Sequence, residues 1–278
     1  MSSPPEPAEN VHRTRQRLMQ QYELASYFRV YRPGIPDEVV DVLLGAADRD
    51  GEAECLLDLG TGAGQMVRAL HPYFRDIIAV DPAEELLGQA EQDLRPRLAP
   101  GTTLRLAHSR AEDYTPPEGW TASLVTICRA VHWMDHRVLL DHLARIVSVS
   151  GVVAIVQDNG FWRTPASWKQ PLRGVIQDFL DADHVPLIPV ESRNWAYDEI
   201  LAESPFSDVE KIIVPFSRVR TADSVLGFLY SNAYAARSLF GDRIDEFESE
   251  VRRVLANHSD SDTFVENDEF AICLGRKP

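Results

Sequence analysis

The chain has 278 residues, of which 44% are hydrophobic and 26% charged, and its formal net charge is −15. This length and composition are typical of a globular protein with one large α/β domain, or with a core and an elaboration. Because an acidic surface repels phosphate groups and anionic lipids, we expect neither nucleic acid nor a membrane as a partner.

The N-terminal region divides into two predicted segments. Residues 1–10 are rich in Pro and Glu and have no apolar signal core, so we predict a disordered lead and a cytoplasmic protein. Residues 11–36 predict a helical segment that ends near Pro33 and Pro36.

Residues 37–158 alternate between helical and strand patterns. Helices are predicted at PDEVVDVLLGAADR, AGQMVRALHPYF, PAEELLGQAEQDLRPRL and HRVLLDHLARIV, and strands at ECLLDL, DIIAV, TTLRLAH, ASLVTICRA and GVVAIVQD. Such alternation with apolar strand cores is typical of a parallel sheet with helices on both faces.

The regular alternation stops after residue 158. Residues 159–208 and 217–265 predict a helical cap over the carboxyl edge of the sheet, and residues 209–216 and 269–277 predict two closing strands. We therefore predict an α/β fold: a Rossmann-like seven-stranded sheet with helices on both faces and a helical cap from C-terminal insertions.

A glycine-rich turn follows the first core strand. Asp58, Gly60, Gly62 and Gly64 form the pattern DxGxGxG. Glycines permit a tight turn from strand to helix and leave no Cβ between backbone and ligand. A dinucleotide fingerprint would need a third glycine at position 65, which is Gln65. A carboxylate beside the turn suits a cationic or amine-bearing ligand better than a diphosphate.

A second acid strengthens this interpretation. Asp81 ends the next predicted strand, 21 positions after Gly60 (81 minus 60). A carboxylate at that place can accept hydrogen bonds from both ribose hydroxyls of an adenosine. The turn, the acid and their strand–helix context together predict an adenosyl compound as the ligand.

These motifs resemble those of class I methyltransferases that use S-adenosylmethionine. LLDLGTGAGQ is similar to the family's first motif, VDPAEELLGQA to the second, and SRAEDYTPPEGWTASLVTICRAVHW to the next two. The segment YFRVYRPGIP and the HW pair after the fourth strand resemble the small-molecule branch, which includes trans-aconitate and natural-product methyltransferases. Ile35 stands where that branch usually has an aromatic residue.

The resemblance covers about residues 20–157 and implies S-adenosylmethionine as the cofactor. It further implies methylation of an O or N atom of a small organic acceptor, with specialised-metabolite biosynthesis, such as that of antibiotics, as the setting. The implied cofactor residues are Arg32 (carboxylate), Asp58 and Gly60 (amino group), Thr61, Gly62 and Gly64 (turn), Arg129 and Ala130 (sulfonium side), Asp81 (ribose), Pro82 and Leu86 (adenine face), and Ala111 and Glu112 (adenine amino edge).

Three residues are candidates for catalysis. His132 follows the fourth strand and would act as a base for a hydroxyl acceptor, or would merely pack against Trp133; both readings stay open. Tyr22 and Tyr31 lie in the N-terminal segment and would approach the sulfonium or the acceptor, although core packing also explains such rings. Asp135 would either orient His132 or, as we favour, cap the helix that follows.

Several alternatives remain beside this function. The chain could be a catalytically silent relative that works as a scaffold or regulator, or it could use the bound cofactor for a non-methylating reaction. A nicotinamide dehydrogenase is disfavoured by Gln65. The scattered histidines predict no metal site, and Cys55, Cys128 and Cys273 predict buried reduced thiols. A homodimer is left open.

Overall fold

The computed structural model describes residues 22–32, 34–47, 54–158, 166–180 and 196–278. The predicted lead at 1–10, the start of the N-terminal segment and two stretches of the predicted cap, 159–165 and 181–195, lie outside the described residues. The chain divides into two compact units. The sheet unit comprises residues 34–159, 194–216 and 269–278, and the helical unit comprises residues 1–33, 160–193 and 217–268.

The described residues form one seven-stranded sheet, as the sequence predicted. Its strands lie in the order β3-β2-β1-β4-β5-β7-β6. Their bounds are β1 Cys55–Leu59, β2 Asp76–Asp81, β3 Thr103–His108, β4 Ala122–Cys128, β5 Val147–Asp158, β6 Asp208–Arg220 and β7 Phe264–Arg276.

The sheet is mixed rather than wholly parallel. Strands β1 to β5 pair in parallel, whereas β7 runs antiparallel to β5. The parallel pairing was predicted from the strand–helix alternation, which ends at residue 158 and therefore carries no information about β6 and β7.

Helices in the described residues precede the first strand or connect successive strands. Their bounds are α1 Tyr22–Tyr31, α2 Asp37–Ala46, α3 Gln65–Leu70, α4 Glu84–Leu94, α5 His136–Leu143, α6 Lys169–Phe179, α7 Tyr197–Ala202, α8 Ala222–Tyr230 and α9 Ile244–Ala256. Each of these helices is too short or too polar to span a lipid bilayer.

Helices cover both faces of the sheet, and the alternation of side chains along β1 shows how. Leu56 joins the apolar cluster that includes residues of α2, α3 and α4, whereas Leu57 joins the cluster that includes residues of α5 and α7. The prediction grouped residues 196–208 with the cap, but α7 packs in this second cluster of the sheet unit through Tyr197 and Leu201. The amphipathic pattern of α7 did not reveal which apolar surface it would meet.

The helical unit has its own core. Residues of α6, α8 and α9 form one buried cluster, in which Phe247 is fully buried. Within the predicted cap segment 217–265, the pattern of residues 221–241 favours one long helix, but α8 ends at Tyr230. The side chains of Ser231 and Asn232 both donate hydrogen bonds to the carbonyl of Phe228, at 2.6 Å each. These bonds compete with the helical ladder and end the helix.

Candidate functional site

The carboxyl ends of β1, β2 and β4 meet at one edge of the sheet. Asp58 in β1 is in register with Ala79 of β2 and with Thr126 of β4. Parallel pairing therefore brings together the glycine turn after β1, Asp81 at the end of β2 and the chain that leaves β4. Ligands bind at such an edge in open α/β sheets.

The glycine turn has a backbone that only glycine adopts easily. Gly60, Gly62 and Gly64 have φ values of 67°, 55° and 80°. The amides of Gly60 and Thr61 donate to the carbonyl of Val80 at 2.8 and 3.1 Å, which ties the turn to β2. Gly64 is the N-cap of α3. The predicted tight turn from strand to helix is confirmed.

At two of these glycines, other side chains of the protein occupy the space that a Cβ would need. A Cβ on Gly60 would overlap the Cβ of Ala130, and a Cβ on Gly64 would lie 2.8 Å from Cδ1 of Leu94. The sequence interpretation ascribed the missing side chains to the close approach of a ligand. The structure shows that packing alone requires glycine at these two positions.

Asp81 connects the glycine turn to the start of the next helix. Its Oδ2 accepts a hydrogen bond from the amide of Gly62 at 2.8 Å, and its Oδ1 accepts one from the amide of Ala83 at 2.9 Å. Burial raises the pKa of Asp81, while these two hydrogen bonds lower it. A carboxylate oxygen has two acceptor positions, so each oxygen can still accept a hydroxyl.

Asp58 lies beneath the turn and is 1% exposed. Its Oδ1 accepts a hydrogen bond from Oγ1 of Thr126 at 2.7 Å. Its Oδ2 and the hydroxyl of Thr61 are buried, and neither makes a hydrogen bond of normal geometry within the described residues. Burial raises the pKa of Asp58 to about 6, Asp81 adds to the increase, and the Thr61 and Thr126 hydroxyls lower it. The ionised carboxylate is therefore incompletely compensated, and a cationic donor would stabilise it.

Arg129 follows β4 and forms an ion pair with Asp158 at the end of β5. Its Nε and Nη2 donate to Oδ2 of Asp158 at 2.9 and 2.6 Å. The guanidinium carbon also lies 5.1 Å from the ring centroid of Phe270. Sequence reasoning missed Asp158 and Thr126. Their signal was a polar residue within or directly after an apolar strand.

His132 lies in a 3-10 turn, Val131–Trp133, directly after Ala130. The side chain is half-buried, and its ring centroid is 5.0 Å from that of Trp133. Asp135 accepts a hydrogen bond from the amide of Val138 at 3.1 Å and is the N-cap of α5. The capping role that we favoured for Asp135 is confirmed.

The residues expected at the adenine lie in the loop after β2, in helix α4 that follows it, and in the loop after β3. Leu86 and Ala111 are buried, whereas Pro82 is exposed. Oε1 of Glu112 accepts the amide of Asp135 at 2.8 Å. Burial would raise the pKa of Glu112, but this bond and the neighbouring arginine lower it overall. Glu112 therefore ties together two loops of the candidate site.

The remaining candidates belong to the helical unit. Nη2 of Arg32 donates to Oδ1 of Asn232 at 2.6 Å, and Nε donates to Oγ of Ser231 at 3.1 Å. The ring of Tyr31 packs directly on Gly227, where a Cβ would overlap it. Tyr22 begins α1, but its side chain is outside the described part. The roles of these three residues toward the cofactor stay predictions.

The sequence analysis predicted neither a metal site nor a disulfide bond. Across the described ranges, no three His, Cys, Asp or Glu side chains lie together in a way that could hold a metal ion. Cys55, Cys128 and Cys273 are free thiols, but only Cys273 is buried as predicted, whereas Cys55 and Cys128 are half-buried. Burial raises the pKa of all three, and that of Cys128 reaches about 12. Such thiols are poor nucleophiles.

Comparisons with known proteins agree with this arrangement. Residues 57–155 match a family model described as "Methyltransferase domain". An uncharacterised methyltransferase of Mycobacterium tuberculosis is 28% identical over 230 residues, which are 82% of each chain. A probable S-adenosylmethionine-dependent methyltransferase of Saccharomyces cerevisiae is 26% identical over 137 residues, 49% of this chain and 46% of that relative. The solved structure of a "Putative Type II Methyltransferase" from Anaeromyxobacter dehalogenans has a TM-score of 0.62 and 23% identity, over 88% of this chain and 98% of that one.

Proposed function

We propose that the chain, whose residues 57–155 match the model of a methyltransferase domain, transfers a methyl group from S-adenosylmethionine to a small organic molecule. The observation that carries the cofactor assignment is the buried Oδ2 of Asp58, which makes no hydrogen bond of normal geometry within the described residues. The ammonium group of the cofactor's amino acid end has the charge and the donors that this oxygen requires. The yeast relative, named for the same cofactor, supports the assignment.

The residues around Asp58 fit the rest of such a molecule. Asp81 keeps acceptor positions for the ribose hydroxyls. Leu86 supplies an apolar contact for the adenine, and Ala111 lies on the loop that would meet the adenine edge. When bound, the cofactor would supply a methyl group activated by its sulfonium. The chain then needs to align an acceptor with this group and exclude water, which can contribute about 7–11 kcal/mol.

His132 is the proposed base for an acceptor that loses a proton. It follows Ala130, which packs against Gly60 beside the buried Asp58. A positioned base adds roughly 10²–10⁴ to the rate when a hydroxyl attacks. On this proposal, His132→Ala lowers turnover without changing the affinity for cofactor. Intact turnover would support a packing role against Trp133 instead.

We further propose an O or N atom of a specialised metabolite, such as an antibiotic precursor, as the acceptor. This finer assignment rests on the resemblance of YFRVYRPGIP and HW to the small-molecule branch. The net charge of −15 also disfavours a polyanionic substrate. The same proposal places the protein in the cytoplasm, with a homodimer as an open state.

Two measurements test the function. Calorimetry with S-adenosylhomocysteine and with NAD should show binding of the first compound only. Binding of NAD alone would refute the cofactor assignment. The chain is then incubated with methyl-labelled cofactor and pooled small-molecule extracts, with heat-inactivated protein as control. Transfer of label into small molecules is expected. If the labelled cofactor binds but label stays on it across broad extracts, the scaffold alternative is the better explanation.

A further inference from the structure

The backbone of Arg129 is in a conformation that L-residues rarely adopt. Its φ is 56°, and within the described part of the chain the only other non-glycine residue with positive φ is Asp262. Most non-glycine residues reach this left-handed region at a cost, and such positions persist where the surroundings hold them. Arg129 stands directly after β4, where the chain turns toward the candidate site.

Strands β5 and β7 hold Arg129 in this conformation. Its amide donates to the carbonyl of Val156 at 2.9 Å, and its guanidinium donates twice to Oδ2 of Asp158. The two side chains of this ion pair are only 12% and 13% exposed. The ring of Phe270, which is in register with Asp158, lies under the guanidinium. Two charge-assisted bonds to one carboxylate fix the geometry as well as adding stability.

The conformation of Arg129 determines where the next residues lie. Ala130 packs so closely on Gly60 that a Cβ there would overlap it. His132 lies in the 3-10 turn Val131–Trp133, which begins directly after Ala130. The backbone conformation of Arg129 therefore sets the direction in which segment 130–133 leaves β4. Arg129 is in turn held by the neighbouring strand β5.

We propose that Asp158 is a positioning residue for methyl transfer: through its ion pair with Arg129, it holds the segment 130–133 against the glycine turn. The inference rests on the proposed function, because the positioned segment would border the cofactor. It also replaces the role implied for Arg129 by the family resemblance. The guanidinium is directed to Asp158, and Arg129 acts through its backbone conformation rather than by contacting the sulfonium.

The test separates the ion pair from the backbone conformation. Asp158→Ala leaves Arg129 without this carboxylate, whereas Arg129→Gly/Asp158→Ala removes both charges and places glycine where φ is positive. The matched control is Asp198→Ala, which breaks the exposed pair of Asp198 with Lys211 in the same unit. Each variant is measured by hydrogen–deuterium exchange of peptides covering 128–134 in the ligand-free protein, and by calorimetry with S-adenosylhomocysteine.

We expect Asp158→Ala to speed exchange in residues 128–134 and to weaken S-adenosylhomocysteine binding at least tenfold. The double variant should return both quantities to within threefold of wild type, and the control should change neither. If Asp158→Ala does not fold, Asp158→Asn replaces it in both comparisons.

Two results would overturn the inference. The first is an affinity within twofold of wild type for Asp158→Ala. The second is a double variant that binds as weakly as Asp158→Ala, because that would show the guanidinium itself to be required. If the wild-type chain binds no S-adenosylhomocysteine, the proposed function fails, while the exchange data still decide whether Asp158 positions the segment.

Discussion

Asp58 is predicted to stabilise the bound cofactor at the expense of the ligand-free protein. The change that tests this is Asp58→Asn. Asparagine keeps an oxygen that can accept from Thr126, and its amide can donate to the hydroxyl of Thr61, which is buried without a partner of normal geometry in the described residues. The variant therefore removes the charge while leaving a side chain that fits the same space.

The expected difference in the free energy of unfolding follows from the pKa of Asp58. Burial raises this pKa from 3.8 to about 6, which corresponds to about 3 kcal/mol. Because the folded state binds this proton more tightly than the unfolded state, the penalty for ionising Asp58 is absent below about pH 3.8 and complete above about pH 6. The stability gained by Asp58→Asn should thus rise from about 1 kcal/mol at pH 4.5 to about 3 kcal/mol at pH 8.

Urea unfolding of both proteins between pH 4.5 and pH 8 measures this difference. Asp113→Asn, which removes an exposed carboxyl, controls for the change in net charge.

Binding of S-adenosylhomocysteine should depend on pH in the opposite sense, because it favours the ionised form of Asp58. Wild-type affinity should fall about tenfold from pH 7 to pH 5 as Asp58 takes up a proton, and the variant should bind weakly at every pH. A stability difference independent of pH, or wild-type affinity in Asp58→Asn, would refute the reasoning.

Three further predictions concern the same unit. Asp81→Ala should weaken S-adenosylhomocysteine binding more than tenfold in calorimetry, because the ribose loses its acceptor; a change within twofold, below about 0.5 kcal/mol, contradicts this role. Gly64→Ala should lower the free energy of unfolding in urea by about 1–3 kcal/mol, since its Cβ would meet Leu94 at a φ of 80°, whereas the control Gly88→Ala, with open space around its Cβ, should not. Cys128, whose pKa burial raises to about 12, should react with iodoacetamide far more slowly in folded than in urea-unfolded protein, as followed by mass spectrometry; equal rates would show it to be accessible.

The sequence predicted those parts of the site that depend on local patterns. Apolar runs and their alternation with helices identified β1 and β2, and Asp58 and Asp81 could then be placed at their carboxyl ends. Because parallel strands present these ends at one edge, the two acids were expected near each other, and the structure brings them together. The strand–turn–helix arrangement of the glycine turn was predictable for the same reason.

Contacts between distant positions were not predictable in this way. Arg129 and Asp158 are 29 positions apart, and nothing in either local pattern indicates that they pair. The end of α8 is a similar case. Its residues favour a longer helix, but Ser231 and Asn232 bond back to the carbonyl of Phe228. Helical propensity is a weak preference that a few such side-chain bonds outweigh.

The selectivity of the glycine turn resides in its polar atoms more than in its missing side chains. Gly60 and Gly64 are bare because Ala130 and Leu94 pack against them, and a turn that binds any nucleotide could meet the same demand. The buried Oδ2 of Asp58 is different. A diphosphate placed beside it would add negative charge to a carboxylate that burial already disfavours, whereas an ammonium group would neutralise it and supply donors. On the proposed function, this carboxylate therefore favours an adenosyl amino acid over a dinucleotide, in the same direction as Gln65.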